Sequence, residues 1–251
     1  CYTLDIEKKL EKLSNFGFNK DDQQQISKSL RKLTNKIVNK ETGLWKQDEK
    51  KIRKLIQRRT QIIAYIDDPI EKLYWLLEDT KRYGTLPFAG LARAGFIAIQ
   101  LLQSLVSTGI LSDQDYQNFM TSITTVSSEL KNDKKLLSKE DFLLKYGHLR
   151  PGTYDILSAR YDEDPDLYFD WENNTKIESG QREFSLKPNQ IRAIENLLIE
   201  NKLELDPIGL FEFIQTAIEL RELAKFYFTK NLSDALLMME MIGNCLLYTS
   251  D

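Results

Sequence analysis

The residues with the clearest potential for chemistry lie in one segment, YGHLRPGTYDILSARYDEDP, at positions 146–165. It contains His148, the only histidine of the chain, followed by Arg150, Asp155 and Arg160. An imidazole titrates near neutral pH and guanidinium groups bind anions, so these residues could form a proton-transfer or anion-binding group. The alternative is structural: the arginines pair with carboxylates and fix the loop, and His148 is a hydrogen-bonded loop residue.

A second polar stretch, KRYGTLPFAGLARAG at positions 81–95, carries Arg82 and Arg93 on either side of a glycine-containing turn. Amide groups at the start of a helix near Ala89 could hold an anion there. The spacing is not that of a phosphate-binding Walker loop, because GK[ST] and a preceding strand are both missing. Small residues that allow tight helix packing are the alternative explanation.

A third candidate is the pair Arg221 and Lys225, which are four residues apart and therefore share a helix face. Cations on a partly buried helix need anionic partners, either a ligand phosphate or a carboxylate of the chain. The basic run at positions 46–59 could also bind phosphates, but Asp48 and Glu49 interrupt it. A solvated helix face is the favoured interpretation of that run.

The elements that must position these residues are predicted to be helices. Apolar residues recur at helical spacing almost throughout, for example at Ile26, Leu30, Leu33 and Ile37. Asp68-Pro69 predicts a helix start, and that helix is expected to end near Gly84, before a short turn, TLPF. A buried central helix is expected at about 89–108, and a long last helix from Pro207 to about Gly243.

The exception is a long stretch without helical period, from about residue 147 to 185. Its aromatic residues can bury area, so an ordered loop is expected rather than disorder. Ser112 with Asp115, and Ser138 with Asp141, predict capped helix starts before it. The predicted fold is therefore all-α, with about seven or eight helices and one long ordered irregular loop.

Composition limits the classes of function. The 251 residues carry a net charge of −3, which gives no overall electrostatic case for nucleic acid or an anionic membrane. Two cysteines make neither a disulfide framework nor a metal site, so a reduced, cytoplasmic setting without a bound metal is expected. No uninterrupted apolar run approaches the ~20 residues of a membrane span. HExxH, CxxC and GxSxG motifs are all absent.

The chain is predicted to be an internal fragment of a longer protein. It begins at Cys1 without Met, and its last residues, CLLYTSD, resemble a translated library adapter. Residues 245–251 are therefore interpreted as a non-native tail, with an ordinary C-terminal tail as the alternative. Residues 1–244 are expected to form one helical domain, either undivided or divided into 1–66 and 67–244.

Three segments resemble a known family. The first is DFLLKYGH at 141–148, followed by Arg150, Gly152, Asp155, Arg160-Tyr161, Glu163 and Pro165. It resembles a signature in the middle domains of phosphoenolpyruvate synthase-like phosphotransferases, and rifampicin phosphotransferases carry a similar one. RYGTLPFAGLARAGF and FYFTKNLSDAL resemble segments of a bacterial branch of these proteins. The drug-modifying relatives usually have Glu and Trp where this chain has Thr153 and Tyr161, which weakens the case for rifampicin as a substrate.

The resemblance implies a central helical domain that presents an acceptor substrate to a swivelling phosphohistidine domain. ATP and Mg²⁺ would be bound by an ATP-grasp domain outside this fragment, and the fragment alone would be inactive. His148 would not be the phosphorylated histidine, because the glycine-rich Ser-His motif is missing. The implied partners are those two domains of the same chain and a small-molecule acceptor, without nucleic acid or membrane.

The implied substrate- or phosphate-binding residues are Arg82, Arg93, Arg150, Asp155, Arg160, Arg221 and Lys225, with His148 as the catalytic candidate. Such cations would stabilise the charge of a transferring phosphoryl group. The alternative is a non-catalytic helical scaffold or interaction domain that links the ATP-grasp and swivelling domains.

Overall fold

The computed structural model describes residues 1–171 and 184–248. In these ranges the regular structure is helical and no strand occurs, which confirms the predicted all-α class. The helices are α1 Ile6–Glu11, α2 Lys20–Val38, α3 Leu44–Tyr65, α4 Pro69–Asp79, α5 Leu86–Ser107, α6 Asp113–Ser122, α7 Val126–Leu136, α8 Lys139–Tyr146, α9 Pro165–Tyr168, α10 Pro188–Glu200 and α11 Pro207–Tyr248. A 3₁₀ stretch, Lys12–Phe16, follows α1. Eight of these helices have ten residues or more, in agreement with the expected seven or eight.

Helix starts follow the side-chain caps seen in the sequence. Asp68 accepts a hydrogen bond from the amide of Glu71 at 2.7 Å, with Pro69 in the first turn of α4. Ser112 and Asp115 form a reciprocal capping box at the start of α6. Ser138 accepts from the amide of Asp141 at 3.1 Å at the start of α8. Each cap satisfies an amide that the helix itself leaves without a partner.

The connection between α4 and α5 corrects one prediction. TLPF is not a turn: a π-helical stretch, Thr80–Thr85, leads directly into α5, in which Pro87 is the second residue. Proline has no amide hydrogen to donate and its ring crowds the preceding turn, and a widened π turn accommodates both effects. The Thr85 hydroxyl donates to the carbonyl oxygen of Lys81 at 3.3 Å within this stretch.

Residues 147–164 form turns and irregular chain between α8 and the single helical turn α9, as expected for the first part of the loop. The predicted loop at 147–185 extends over residues 172–183, which lie outside the described residues. The amide of Tyr161 donates to the carbonyl oxygen of Leu149 at 2.8 Å, so the loop folds back on its own beginning. Phe169 packs against Phe142 and Tyr161, with ring centroids 5.1 and 4.8 Å apart. Aromatic burial therefore holds this part of the loop in place.

The chain divides into two compact units, each assembled from three stretches. Unit 1 comprises residues 1–48, 90–124 and 180–221, and unit 2 comprises 49–89, 125–179 and 222–251. The core of unit 1 includes the fully buried Leu101, Leu105, Ile194, Leu198 and Ile214, and that of unit 2 includes Leu55, Leu76, Phe142, Tyr146 and Phe228. The single domain at 1–244, its division at residue 66 and the tail at 245–251 stay predictions; residues 249–251 are outside the described ranges.

In the described part of the chain, one helical stretch is apolar and long enough to cross a membrane by length and composition. It covers Pro69–Ser107, and 44% of its most apolar window is buried inside the protein. Core helices of soluble proteins pass the same test, so the stretch is compatible with a soluble protein.

Candidate functional site

Unit 2 contains a group of seven polar side chains, of which six are buried or half-buried and one, Asp162, is exposed. They come from α3, from the irregular segment after α8 and from the later part of α11. We call this group the His148 cluster; its members are Arg59, His148, Arg160, Asp162, Lys230, Asn231 and Asp234.

Two guanidinium groups share one carboxylate at the centre of the cluster. Arg160 donates from Nη1 to Oδ1 of Asp234 at 2.8 Å, and Arg59 donates from Nη2 to Oδ2 of the same residue. Arg59 also donates to Oδ1 of Asn231 at 3.0 Å. The remaining edge of Arg160 binds Asp162 in a fork, with Nε–Oδ1 and Nη2–Oδ2 distances of 2.8 and 2.6 Å. Such paired contacts fix the plane of the Arg160 side chain.

The cluster carries more positive than negative charge. Burial opposes ionisation of Asp234, but Arg59 and Arg160 lower the pKa of its carboxyl below the usual value. The pKa of Lys230 is also lowered, first by burial and then by Arg59. Lys230 forms no ion pair or side-chain hydrogen bond with any described residue. Within the cluster the three cations Arg59, Arg160 and Lys230 thus meet two carboxylates, those of Asp162 and Asp234. A third carboxylate, that of Glu163, accepts from the backbone amide of Arg160 at 2.6 Å.

His148 lies in this positive environment with only 3% of its surface exposed. Neither ring nitrogen has a hydrogen-bond partner in the described part of the chain, and the ring meets Phe226 edge-on at 4.7 Å. Burial and then the charge of Lys230 lower the pKa of His148 to about 3, so the ring is neutral at pH 7. A neutral imidazole offers one donor and one acceptor. Asn231 Nδ2 and Ser233 Oγ are also buried without a hydrogen-bond partner in the described part of the chain.

Two other candidates in the same loop make local contacts. Arg150 is buried, and its Nη1 donates to the backbone oxygen of Asp155 at 3.2 Å. The Asp155 carboxylate accepts from the amide of Leu157 at 2.9 Å, which stabilises the turn that follows. Gly147 allows the loop to close, because a Cβ there would lie 2.8 Å from the Cβ of Asp162. Arg150 and Asp155 therefore stabilise the fold of the loop through these contacts.

The remaining four candidates are exposed or partly exposed. In unit 2, Arg82 is exposed and pairs with Glu78 at 3.1 Å, and Lys225 is exposed on α11. In unit 1, Arg93 is exposed and Arg221 is partly exposed. Across the described ranges, Arg93, Arg221 and Lys225 have no ion pair or side-chain hydrogen bond. Of the eight candidates, His148 and Arg160 are the two that the structure brings into one buried cluster.

The glycines of the second polar stretch approach other parts of the protein closely. A Cβ on Gly84 would lie 2.7 Å from the Cβ of Phe228 in unit 2. A Cβ on Gly95 would lie 3.2 Å from Cδ of Arg221 in unit 1. These contacts support the packing explanation for the small residues.

Sequence reasoning missed most of the His148 cluster. Arg59 is the last residue of the basic run at 46–59, for which the sequence favours a solvated helix face. Lys230, Asn231 and Asp234 all lie within FYFTKNLSDAL, a segment that carries part of the family resemblance. In this segment charged and amide residues stand among aromatic residues. Because buried polar groups require partners, this pattern could have indicated a polar cluster.

Among the described residues, no group of three or more His, Cys, Asp or Glu side chains could hold a metal ion. Both cysteines, Cys1 and Cys245, are exposed. No family model matches the chain, and neither a curated protein nor a solved structure matches it.

Proposed function

We propose that the chain is the central helical, acceptor-side part of an ATP-dependent phosphotransferase, and that the His148 cluster binds the phosphate group of the acceptor or product. The observation that carries this proposal is the buried His148, whose two unpartnered ring nitrogens lie among Arg59, Arg160 and Lys230. Excess positive charge and unpaired donors in a buried place are the features that phosphate binding needs.

The members of the cluster have different roles in this proposal. Arg160 uses Nε, Nη1 and Nη2 on Asp162 and Asp234, so it supplies fixed positive charge rather than a direct contact. Direct contact with the phosphate is assigned to His148 and to Lys230, which forms no ion pair or side-chain hydrogen bond in the described ranges. In its neutral form His148 donates one hydrogen bond to a phosphate oxygen, or accepts one from a protonated oxygen.

The parent protein in this proposal is similar to phosphoenolpyruvate synthase and works in the cytoplasm. Its ATP-grasp domain binds ATP and Mg²⁺, and its swivelling domain carries the phosphohistidine; both are the partners of this helical part, which binds no cofactor itself. The support is the resemblance of three segments, two of which, 141–165 and 226–236, supply six of the seven residues of the His148 cluster. The acceptor is a small molecule.

The second candidate function is a helical scaffold that links the catalytic domains and binds no ligand. Its support is that several cations have internal carboxylate partners. Arg160 binds Asp162 and Asp234, and Arg82 binds Glu78. An interaction domain based on the basic run is less favoured, because Arg58 pairs with Asp79 at 2.5 Å and Arg59 pairs within the cluster.

A binding experiment separates the two candidates. The single imidazole gives one Hε1 resonance, which can be followed while inorganic phosphate or phosphoenolpyruvate is added to the chain. The phosphotransferase proposal expects a saturable shift that Lys230→Met abolishes. The control is Lys131→Met, an exposed lysine of α7 in the same unit, and it should behave as the unmodified chain. Absence of any saturable shift with either compound would favour the scaffold.

The assignment of the parent protein is tested separately, by sequencing the DNA on both sides of the coding region. An ATP-grasp domain upstream and a Ser-His swivelling domain downstream are expected. If neither is found while phosphate still shifts the His148 resonance, the anion site stands and the phosphotransferase assignment fails.

A further inference from the structure

A groove on unit 1 is lined by nine residues, of which five are basic, three are neutral polar and one is acidic. It runs along the later turns of α2 and the connection between α10 and α11, with a volume of about 690 Å³. Its charged lining residues are Lys28, Arg31, Lys32, Lys36, Lys202 and Glu204. We call it the α2 groove. The groove thus has five cations and one carboxylate, although the whole chain has a net charge of −3.

The cations of the α2 groove are not balanced within the protein. In the part of the chain that the structure describes, none of the five forms an ion pair. Lys28, Lys32 and Lys36 follow one another at four-residue steps on α2, and the helix contains no acidic residue after Asp22. Like charges at this spacing destabilise a helix. Only Lys36, in the last turn, is favoured by the helix dipole.

The far wall of the groove is held in place by side-chain hydrogen bonds. Asn35 donates from Nδ2 to the carbonyl oxygen of Lys202 at 3.0 Å, and its Oδ1 accepts from the amide of Glu204 at 3.3 Å. Lys202 has a φ of 53°, a left-handed conformation that non-glycine residues rarely adopt. The turn is thus fixed against α2 in a strained conformation, and Lys202 is kept at the groove.

The chemistry of the lining narrows the class of ligand. The lining includes no aromatic and no large apolar residue, so it offers neither a stacking surface for bases nor an anchor pocket for a peptide. The lining therefore favours recognition of a negatively charged ligand, by four lysines and one arginine. The volume is that of a small-ligand site, which typically measures about 300–1,000 Å³. From Lys28 to Lys36 the helix rises about 12 Å, enough for several linked phosphates.

We propose that the α2 groove binds a small compound that carries two or more linked phosphate groups. The groove lies wholly within unit 1 and uses no residue of the His148 cluster. The proposal therefore goes beyond the proposed function and does not depend on it.

The test is calorimetric titration of the Lys230→Met chain with inorganic tripolyphosphate, so that the His148 cluster does not contribute. Saturable binding that weakens with added salt is expected. Lys28→Gln with Lys32→Gln should weaken it by roughly tenfold, because two ion pairs are lost. The matched control is Lys8→Gln with Lys12→Gln, two exposed lysines of unit 1 at the same spacing, which should leave affinity unchanged.

Three results would overturn the proposal. The first is no saturable binding, and the second is equal weakening by the control pair. The third is tighter, groove-dependent binding of a short RNA duplex or a glutamate-rich peptide, which would assign the groove to that macromolecule. Thermal unfolding without ligand checks the fold: the groove variant should melt no lower than the unmodified chain, since the substitutions relieve like-charge repulsion.

Discussion

Acidification should destabilise the protein through its single histidine. In the unfolded chain the pKa of His148 is about 6.5, whereas burial lowers it to about 3 in the fold. The folded state therefore favours the neutral ring. The stability that this preference contributes is fully present above about pH 6.5, and it is lost progressively as the pH falls towards about 3.

The expected size of the effect follows from the two pKa values. At pH 5.5 about nine-tenths of unfolded chains carry a proton on His148, while the folded ring stays neutral. The free energy of unfolding should therefore fall by about 1.4 kcal/mol between pH 8 and pH 5.5 from this residue alone. The ring is almost completely buried, so solvent screening reduces this figure little.

Urea unfolding of the unmodified chain and of His148→Leu, at pH 8 and pH 5.5, measures the effect. Leucine does not titrate, so the difference in pH dependence between the two proteins isolates His148. A difference near 1.4 kcal/mol, with an Hε1 resonance that does not titrate between pH 8 and 5, is the expected result. Equal pH dependence in both proteins, or a resonance that titrates near pH 6.5, would refute the argument that His148 is buried and neutral.

Three further substitutions test the packing and the ion pairs. Gly147→Ala should lower the stability of unit 2 by about 2–3 kcal/mol in thermal unfolding, because the new Cβ overlaps the oxygen of Leu143 and approaches Asp162. Asp234→Asn should cost roughly 3 kcal/mol in urea, since it leaves two guanidinium groups without their shared carboxylate. Arg82→Ala should leave the melting temperature unchanged within error, because Arg82 is exposed and Glu78 keeps its ion pair with Lys81; a clear drop would contradict this.

Much of the fold could be predicted because helices carry local signals. The caps at Asp68, Ser112 and Ser138 depend on residues three positions apart, and all three are present in the structure. The prediction of a turn before α5 was wrong for a physical reason. A proline and a glycine usually signal a turn, and a π-helical stretch that accommodates Pro87 leaves no separate pattern in the sequence.

The site was less predictable, because its members come from distant parts of the chain. The sequence indicated His148 and Arg160 by their residue types within one irregular segment. It did not indicate that Arg59 would donate to Asp234, 175 positions away. Nor could it show that Asp155 would turn its carboxylate to the amide of Leu157. Tertiary packing decides which cations are brought together.

The energetics of the His148 cluster bear on the choice between a binding site and a scaffold. A buried imidazole with two unpartnered nitrogens pays a desolvation cost of about 1–3 kcal/mol without a compensating hydrogen bond. A leucine at position 148 would keep the apolar contact with Phe226 and avoid that cost. The ion pairs of Arg59 and Arg160 with Asp234 likewise add little net stability, because burial removes the hydration of these charges. A pure scaffold thus gains little from these residues, whereas an anion site needs them. We therefore expect His148→Leu to be at least as stable as the unmodified chain at pH 8 and to bind phosphate more weakly. A large loss of stability would instead indicate that the cluster has a structural role.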